Sequence, residues 1–288
     1  MNNTMTYQEA LSWASSCIEG KNVDQNAPQF IITMLNDWST TDWLLNRRHR
    51  IPAEQFAFLQ EAVPRILAHE PAQYIVGKAP FYGRSFTVND QVLVPESETE
   101  ELIEWVLETL PAQQPVRILD LGTGSGVIGI TLKLERPQWQ VTMSDLSPTA
   151  LMVARQNAAQ LGAQVTLYQS DVFDQLPPDA TFDVIVTNPP YIADAERDLM
   201  DTAVLKYEPA MALFADHEGL AIYEQIALHL ENRLAHNGML FGETGFQQEK
   251  AIQTLFRQSL PTATVDTKHD INGLMRMVRV RLNQKEME

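Results

Sequence analysis

The chain has 288 residues, 44% of them hydrophobic and 20% charged, with 21 Lys plus Arg against 37 Asp plus Glu and a formal net charge of −16. That length suggests two domains, or one large one, with a sizeable core, and the composition excludes a chain disordered throughout. A surplus of acids suits a phosphate backbone poorly, so general coating of DNA is not expected.

The single cysteine, Cys17, allows neither an internal disulfide nor a multi-thiolate metal site. Lying among Leu11, Trp13, Ala14 and Ile18, it reads as a small core residue. The opening MNNTMTYQEA has no basic stretch followed by an apolar one, so no secretory signal is expected. No apolar run approaches the roughly 18 residues of a membrane span. A cytoplasmic protein is expected.

From Thr6 to about Ala72, apolar residues recur at three-to-four spacing, as in Leu11, Ala14, Ile18 and again in Phe56, Leu59, Val63, Ile66. With breaks at Gly20, Pro28 and Pro52, the pattern predicts a bundle of short helices, Pro52 lying just inside a helix start. Residues 1–80 hold eight acids and six bases, which leaves −14 on the rest. Phe81–Val94 alternates and is rich in aromatic and β-branched residues, and it predicts a β-hairpin punctuated by Asn89-Asp90. Glu98–Leu110 predicts a helix.

After Pro115 buried strands alternate with amphipathic helices. Strands are expected at Val116–Leu121, Gln140–Asp145, Val165–Gln169 and Phe182–Thr187, with helices at Val127–Glu135 and Pro148–Leu161. A helix from about Leu220 to Leu234, a strand Met239–Glu243, a helix Gln247–Arg257 and strands near 262–268 and 274–282 follow. This alternation predicts an α/β fold with a parallel sheet covered on both faces. The last two strands, separated by Asp270–Gly273, are expected to form an antiparallel pair at one edge. The only low-complexity tract is the charged tail, Lys285–Glu288.

The first candidate site is Asp120-Leu-Gly122-Thr123-Gly124-Ser125-Gly126, between a buried strand and a helix. Glycines let the backbone turn tightly near a ligand, and the helix N-terminus offers free N–H groups. Gly124–Gly129 also satisfies G-x-G-x-x-G, and Asp145 is the acid that a dinucleotide template wants for ribose hydroxyls. That template starts two residues late here, and the register that fits the turn is D-x-G-x-G. Asp120 at the strand tip would repel a pyrophosphate but suits a ligand carrying an ammonium or sulfonium. S-adenosylmethionine has both cations, a ribose and no phosphate.

The second site is Asn188-Pro189-Pro190-Tyr191, at the end of a strand where open α/β sheets bind ligands. Each proline holds the residue before it extended and lacks an N–H, so the tetrapeptide presents carbonyls with few competing donors. Such a rigid acceptor pair suits a planar NH2 group, gripping both hydrogens and orienting the nitrogen toward a methyl. Tyr191 is expected to wall the pocket and favour a cationic methyl donor.

These residues carry a resemblance to the bacterial release-factor glutamine N5-methyltransferases, the HemK or PrmC family. The likeness spans about residues 70–282 and includes Pro71–Gly77, Phe81-Tyr-Gly83, Val92–Pro95, Glu98-Thr-Glu100, Ile118–Gly126, Ser144–Ser147, Ser170-Asp171, Asn188–Ile192, Tyr207-Glu-Pro209, and Glu243-Thr-Gly245 with Gln247 or Gln248. Asn-Pro-Pro-Tyr alone is shared with enzymes that methylate adenine or guanine amines. The segments Pro71–Gly77 and Phe81–Pro95 are far more specific to the glutamine enzymes.

The resemblance implies a Rossmann-like class I methyltransferase sheet with a small N-terminal helical domain and a β-hairpin linker. The boundaries expected are 1–78 for a substrate-recognition domain, 79–95 for the linker and 96–288 for the methyltransferase domain. The implied cofactor is S-adenosylmethionine, and the implied substrate is the glutamine of the Gly-Gly-Gln loop of class-1 peptide chain release factors. Gly122–Gly126 would pass along the methionine part of the cofactor, Asp145 would hold the ribose, and Asp171 and Val172 would border the adenine. Asn188 and the Pro189 carbonyl would grip the glutamine amide, with Tyr191 packed against it. The expected partner is the release factor alone, with no nucleic acid and no membrane, and the protein is expected to be a monomer.

Two departures bear on the site. Glu96-Ser97 stand where the family usually has Arg-Pro, reversing a charge. Val172 stands where some relatives place a larger aromatic, with Phe173 beside it as the compensating ring.

Other features read as structural. Arg47-Arg48-His49-Arg50 fits an exposed helix end. The six histidines show no metal spacing, and Ser125 lacks the context of a nucleophile elbow. Trp13, Trp38 and Trp43 read as core. Two other functions remain open at this point: a nucleic-acid amine methyltransferase acting on adenine N6 or guanine N2, and a non-catalytic adaptor that binds a translation factor.

Overall fold

The computed structural model describes residues 5–283, so the charged tail at Lys285–Glu288 lies outside them. The chain divides into two compact units. One comprises residues 1–79, 88–90 and 200–208, and the other residues 80–87, 91–199 and 209–288.

The first unit is helical: α1 (Tyr7–Ile18), α2 (Ala27–Leu35), α3 (Thr40–Asn46), α4 (Ala53–Leu67) and α5 (Ala72–Val76). Thr6 and Glu9 form a capping box on α1, and Ser39 and Asp42 do the same for α3, satisfying amides that have no partner within the helix. Pro52 sits at the N-cap of α4, one position earlier than its pattern suggests, and Pro28 lies inside the first turn of α2 rather than between helices. Ala10, Ala14, Ile31, Leu59 and Ile66 form the core. Trp43 is buried within it, Trp38 packs edge-on to Tyr7 at 4.7 Å and Trp13 to Phe56 at 5.2 Å. Cys17 packs against the same cluster, half-buried. Arg48, His49 and Arg50 follow α3 and are exposed.

A two-stranded sheet joins β1 (Lys78–Phe81) and β2 (Arg84–Thr87). The hairpin is therefore shorter than the alternation suggested. It turns at Tyr82 (φ 48°) and Gly83 (φ 70°), not at Asn89-Asp90, because two consecutive left-handed residues match the twist of a two-residue hairpin. Residues 88–95 form no strand, although Val88 and Val92 are buried. Their apolar side chains produced the strand-like pattern.

The second unit continues with α6 (Ser97–Thr109), β3 (Arg117–Leu121), α7 (Val127–Glu135), β4 (Gln140–Asp145), α8 (Pro148–Leu161), β5 (Thr166–Gln169) and β6 (Phe182–Thr187). Two short helices, α9 (Thr202–Tyr207, within the first unit) and α10 (Ala210–Leu213), precede α11 (Ala221–Arg233), β7 (Leu234–Glu243), α12 (Glu249–Ser259), β8 (Thr264–His269) and β9 (Met275–Arg281). The strand order is β5-β4-β3-β6-β7-β9-β8, parallel from β5 to β7 and antiparallel where β9 joins β7 and β8. One face packs Leu102, Ile130, Trp139 and Val184, the other Ile185, Tyr223, Leu230 and Phe256. Both faces are thus covered, as the near-continuous apolar strands require. Order reverses between β3, with β4 on one side, and β6 on the other, which opens a crevice at their carboxyl ends.

Two boundaries and one segment depart furthest from the periodicity. β7 begins directly after α11 at Leu234, with its register against β6 shifting between Phe182 and Val184. α12 begins at Glu249, because Gln248 is used as a turn partner: Gly245 N donates to Gln248 Oε1 at 2.9 Å. The segment Asp194–Leu213 contains a 3-10 turn and short helices with no sustained apolar period, so no element was legible there. Among the described residues no helix is long and apolar enough to cross a membrane.

Candidate active site

At the end of β3 the chain enters a loop in which Gly122, Gly124 and Gly126 have φ of 70°, 55° and 88°. Side chains rarely adopt these angles, and a Cβ at Gly126 would meet Ile130 and Met143 side-chain atoms at 2.7 and 2.9 Å. The loop is fastened from behind. Thr123 N donates to Ser144 O (2.9 Å), and Gly124 N donates to Asp145 Oδ2 (2.8 Å).

Asp120 performs a different task from the one its position suggested. It is fully buried, Thr123 Oγ1 and Gly129 N (2.8 Å) both donate to its Oδ2, and it does not line the crevice. It braces the loop rather than facing a ligand. Burial pushes its pKa up to about 7 against these hydrogen bonds, and its Oδ1 has no hydrogen-bond partner. The folded chain therefore holds a proton that the unfolded chain releases above pH ~4. The stability this confers is complete below pH ~4 and is lost as pH rises through about 7. Asp120→Asn removes the linkage. Urea unfolding at pH 5 and pH 8 is expected to show the variant gaining roughly 2–3 kcal/mol relative to the parent at the higher pH. Parallel pH dependences in the two proteins would refute it.

The crevice is an open cleft of about 1110 Å³, mouth included. Gly122, Thr123, Gly124 and Ser125 form one wall and Asp145 stands at the tip of β4. Each Asp145 oxygen already accepts one backbone amide, Gly124 N and Ser147 N, both at 2.8 Å. Each oxygen retains acceptor capacity on its other side. Burial raises the Asp145 pKa, opposed by those amides.

Asp171 and Val172 also line the cleft. Val172 has φ 45°, a left-handed conformation that is strained for a β-branched residue; Ser170 Oγ holds it by donating to its carbonyl at 3.1 Å. Phe173 does not compensate for the smaller Val172. It is buried in the core against His229 and Arg233, because the left-handed turn sends the next side chain inward.

Asn188, Pro189 and Pro190 form the facing wall. Thr187 ties this strand end to β3 by donating to Leu121 O at 2.8 Å. Asn188 Nδ2 donates to Thr99 Oγ1 (3.1 Å), and Thr99 Oγ1 donates to Glu243 Oε2 (2.7 Å). Tyr191 is not part of the cleft wall. Its hydroxyl donates to Glu243 Oε1 at 3.0 Å, so the ring is drawn toward a buried carboxylate instead. Gly126 likewise lies outside the lining and serves as the N-cap of α7.

Three motif residues whose roles the sequence does not reveal are Thr99, which lines the cleft, Glu243 and Gln248. Gln248 Nε2 donates to both Tyr191 O (2.8 Å) and Glu218 O (2.9 Å), which identifies it, not Gln247, as the partner of the tetrapeptide.

Glu96 lines the cleft as well. Burial raises its pKa, Glu98 adds to this and Arg276 opposes it. The charged residues of the cleft are Glu96, Asp145 and Asp171, and no Lys or Arg lines it among the described residues. Such a wall fits a cationic ligand with a ribose and does not fit a pyrophosphate.

Two family models match the chain: a methyltransferase small domain over residues 102–213 and a PrmC N-terminal domain over residues 9–77. A release factor glutamine methyltransferase of Enterococcus faecalis is 40% identical over 267 residues, 93% of this chain and 96% of that protein. One from Lactococcus lactis is 39% identical over 96% of this chain and the whole of its own length. Among solved structures, a methyltransferase from Pyrococcus furiosus has a TM-score of 0.52 at 16% identity, covering 77% of this chain and 98% of its own. A T. thermophilus 16S rRNA methyltransferase bound to AdoMet and guanosine has a TM-score of 0.52 at 18% identity, covering 72% of this chain and 50% of its own. These structures share the fold.

Proposed function

Because the chain belongs to the release factor glutamine methyltransferase family, we propose that it methylates the side-chain amide nitrogen (N5) of the glutamine in the Gly-Gly-Gln motif of class-1 peptide chain release factors. It is an S-adenosylmethionine-dependent methyltransferase. The observation that carries the reading is that one acidic cleft contains both the Gly122–Ser125 loop with Asp145 and the acceptor pair Asn188-Pro189.

When bound, the cofactor supplies an electrophilic methyl on a sulfonium. Gly122–Ser125 would follow its methionine part, Asp145 would accept from the ribose hydroxyls, and Asp171 and Val172 would border its adenine. Asn188 Oδ1 and the Pro189 carbonyl accept the two amide hydrogens of the substrate glutamine, and Pro190 completes that wall. An amide nitrogen is a weak nucleophile because its lone pair is delocalised. Gripping both hydrogens orients it and stabilises the positive charge that develops as the N–C bond forms. The extra proton leaves to solvent after transfer, so no strong base is needed at Asn188. The Tyr191 hydroxyl is held by its hydrogen bond to Glu243. In this reading residues 1–78 recognise the release factor, 79–95 link the domains, and a monomer acts in the cytoplasm without contacting nucleic acid. The formal net charge of −16 weighs against a nucleic acid as the acceptor.

The test is incubation of unmodified class-1 release factor with S-adenosylmethionine, read by peptide mass spectrometry. A gain of one methyl on the Gly-Gly-Gln glutamine is expected. No gain there with cofactor binding intact would overturn the substrate, and methylated adenine or guanine in added RNA or DNA would favour the alternative.

The cofactor site makes its own prediction. Asp145→Ala should weaken S-adenosylmethionine binding roughly ten- to a hundredfold, the scale for losing one or two hydrogen bonds to a charged acceptor. Calorimetry with the cofactor alone measures this, and unchanged affinity would remove Asp145 from the site.

A further inference from the structure

Asn188 and Thr99, which line the cleft, and Glu243 behind them form a hydrogen-bonded chain that has one consistent proton arrangement while Glu243 is ionised. Thr99 is 3% exposed and Glu243 fully buried. The Thr99 hydroxyl has one proton, and a carboxylate can only accept, so that proton lies on the 2.7 Å contact to Glu243 Oε2. Thr99 Oγ1 must then accept from its other neighbour, 3.1 Å away, and the only Asn188 side-chain atom able to donate is Nδ2. Among the described residues nothing donates to Asn188 Oδ1.

We propose that Glu243, acting through Thr99, fixes which way the Asn188 side-chain amide faces, so that its carbonyl and not its NH2 meets the substrate nitrogen. Thr99 and Glu243 are positioning residues for the methyl acceptor. This rests on the acceptor role given to Asn188 above. A flipped amide would present two donors to a substrate NH2, and donor would meet donor. The two orientations of an amide have nearly the same shape, so packing alone cannot choose between them. The hydrogen-bond chain makes the choice.

The surroundings of Glu243 suit this task. Tyr191 donates to its Oε1, Tyr223 donates to its backbone carbonyl, and Glu96 and Arg276 act on it electrostatically with opposite signs. Burial brings its pKa up to about 7. Once protonated, Glu243 can donate to Thr99, whose own proton is then free to turn to Asn188 and reverse the amide. Acceptor turnover therefore falls as pH drops through the neutral range.

The experiment measures kcat for release-factor methylation and calorimetric affinity for S-adenosylmethionine in Thr99→Val, Thr99→Ser, Glu243→Gln and Asn188→Ala. Thr99→Val keeps the shape and removes the hydroxyl; kcat is expected to fall tenfold or more with cofactor affinity within twofold. Thr99→Ser restores the relay and is expected within threefold of the parent. Glu243→Gln cannot titrate, so its kcat should be flat across pH 6–8, where the parent's rises. If Asn188→Ala is inactive while Thr99→Val and Glu243→Gln turn over like the parent, the relay is wrong. Equal loss in Thr99→Ser and Thr99→Val also overturns it. Full activity in Asn188→Ala would instead sink the acceptor assignment on which the relay rests. Should Thr99→Val fail to fold, Glu243→Gln with its pH profile decides.

Discussion

Asn188→Ala is expected to slow methyl transfer by roughly 10²–10³-fold, the scale for losing a preorganised polar contact to developing charge. The effect belongs to kcat. Asn188 stands at the tip of β6, held extended by Pro189, and its side chain is one of only two acceptors proposed for the amide hydrogens. The remaining Pro189 carbonyl cannot by itself fix the rotation of an NH2 group. Affinity for S-adenosylmethionine should change by only a few-fold, since the loop from β3 and Asp145 are untouched. Single-turnover kinetics and calorimetry separate the two, and activity within a few-fold of the parent would refute the clamp.

A second large effect is expected 31 residues downstream of Asn188, at Gly219, which has φ 82°. A Cβ there would lie 2.0 Å from Tyr191 O and 2.6 Å from Gln248 Nε2. Neither neighbour can yield cheaply. The Tyr191 carbonyl belongs to the tetrapeptide that carries Asn188, and Gln248 is already committed to Tyr191 O and Glu218 O. His217 and Glu218, just before it, are also left-handed, so the turn has no relaxed alternative nearby. Gly219→Ala should cost about 2–4 kcal/mol, from left-handed strain and overpacking together. Because the displaced Tyr191 backbone directly continues the acceptor wall Asn188–Pro190, kcat should also fall about a hundredfold. A parent-like melting temperature with parent-like kcat would show that the turn and the tetrapeptide move independently.

Both effects depend on a division between local and long-range information. Strand β4, helices α7 and α8 and strand β6 have the boundaries that their apolar pattern and flanking Pro and Gly predict. The glycine loop, Asp145 and Asn188–Pro190 meet in one cleft because a parallel sheet places every strand's carboxyl end on the same side. Each of those inferences uses residues close together in sequence.

The features that differ depend on backbone conformations and hydrogen-bond partners that residue type alone does not reveal. Asp120 and Tyr191 were read as facing the ligand, yet each is turned away by a hydrogen bond: Asp120 to Thr123 and Gly129, Tyr191 to Glu243. Phe173 was read as an adenine neighbour, but the left-handed Val172 before it sends the ring into the core. The hairpin turn at Tyr82-Gly83 is not legible in the sequence, because a tyrosine with positive φ is not a pattern that composition announces.

The sequence by itself determined the alternating α/β architecture, the helical first unit and the chemical character of the two loops. Periodicity and turn chemistry are short-range properties written in consecutive residues. Only the tertiary structure decided which side chains face the cleft and which stand behind it. Thr99 meets Glu243 across 144 positions of sequence, and Tyr191 meets it across 52. A side chain's direction follows the partner that satisfies its buried polar atoms, and for Thr99 and Tyr191 the fold brings that partner from far along the chain.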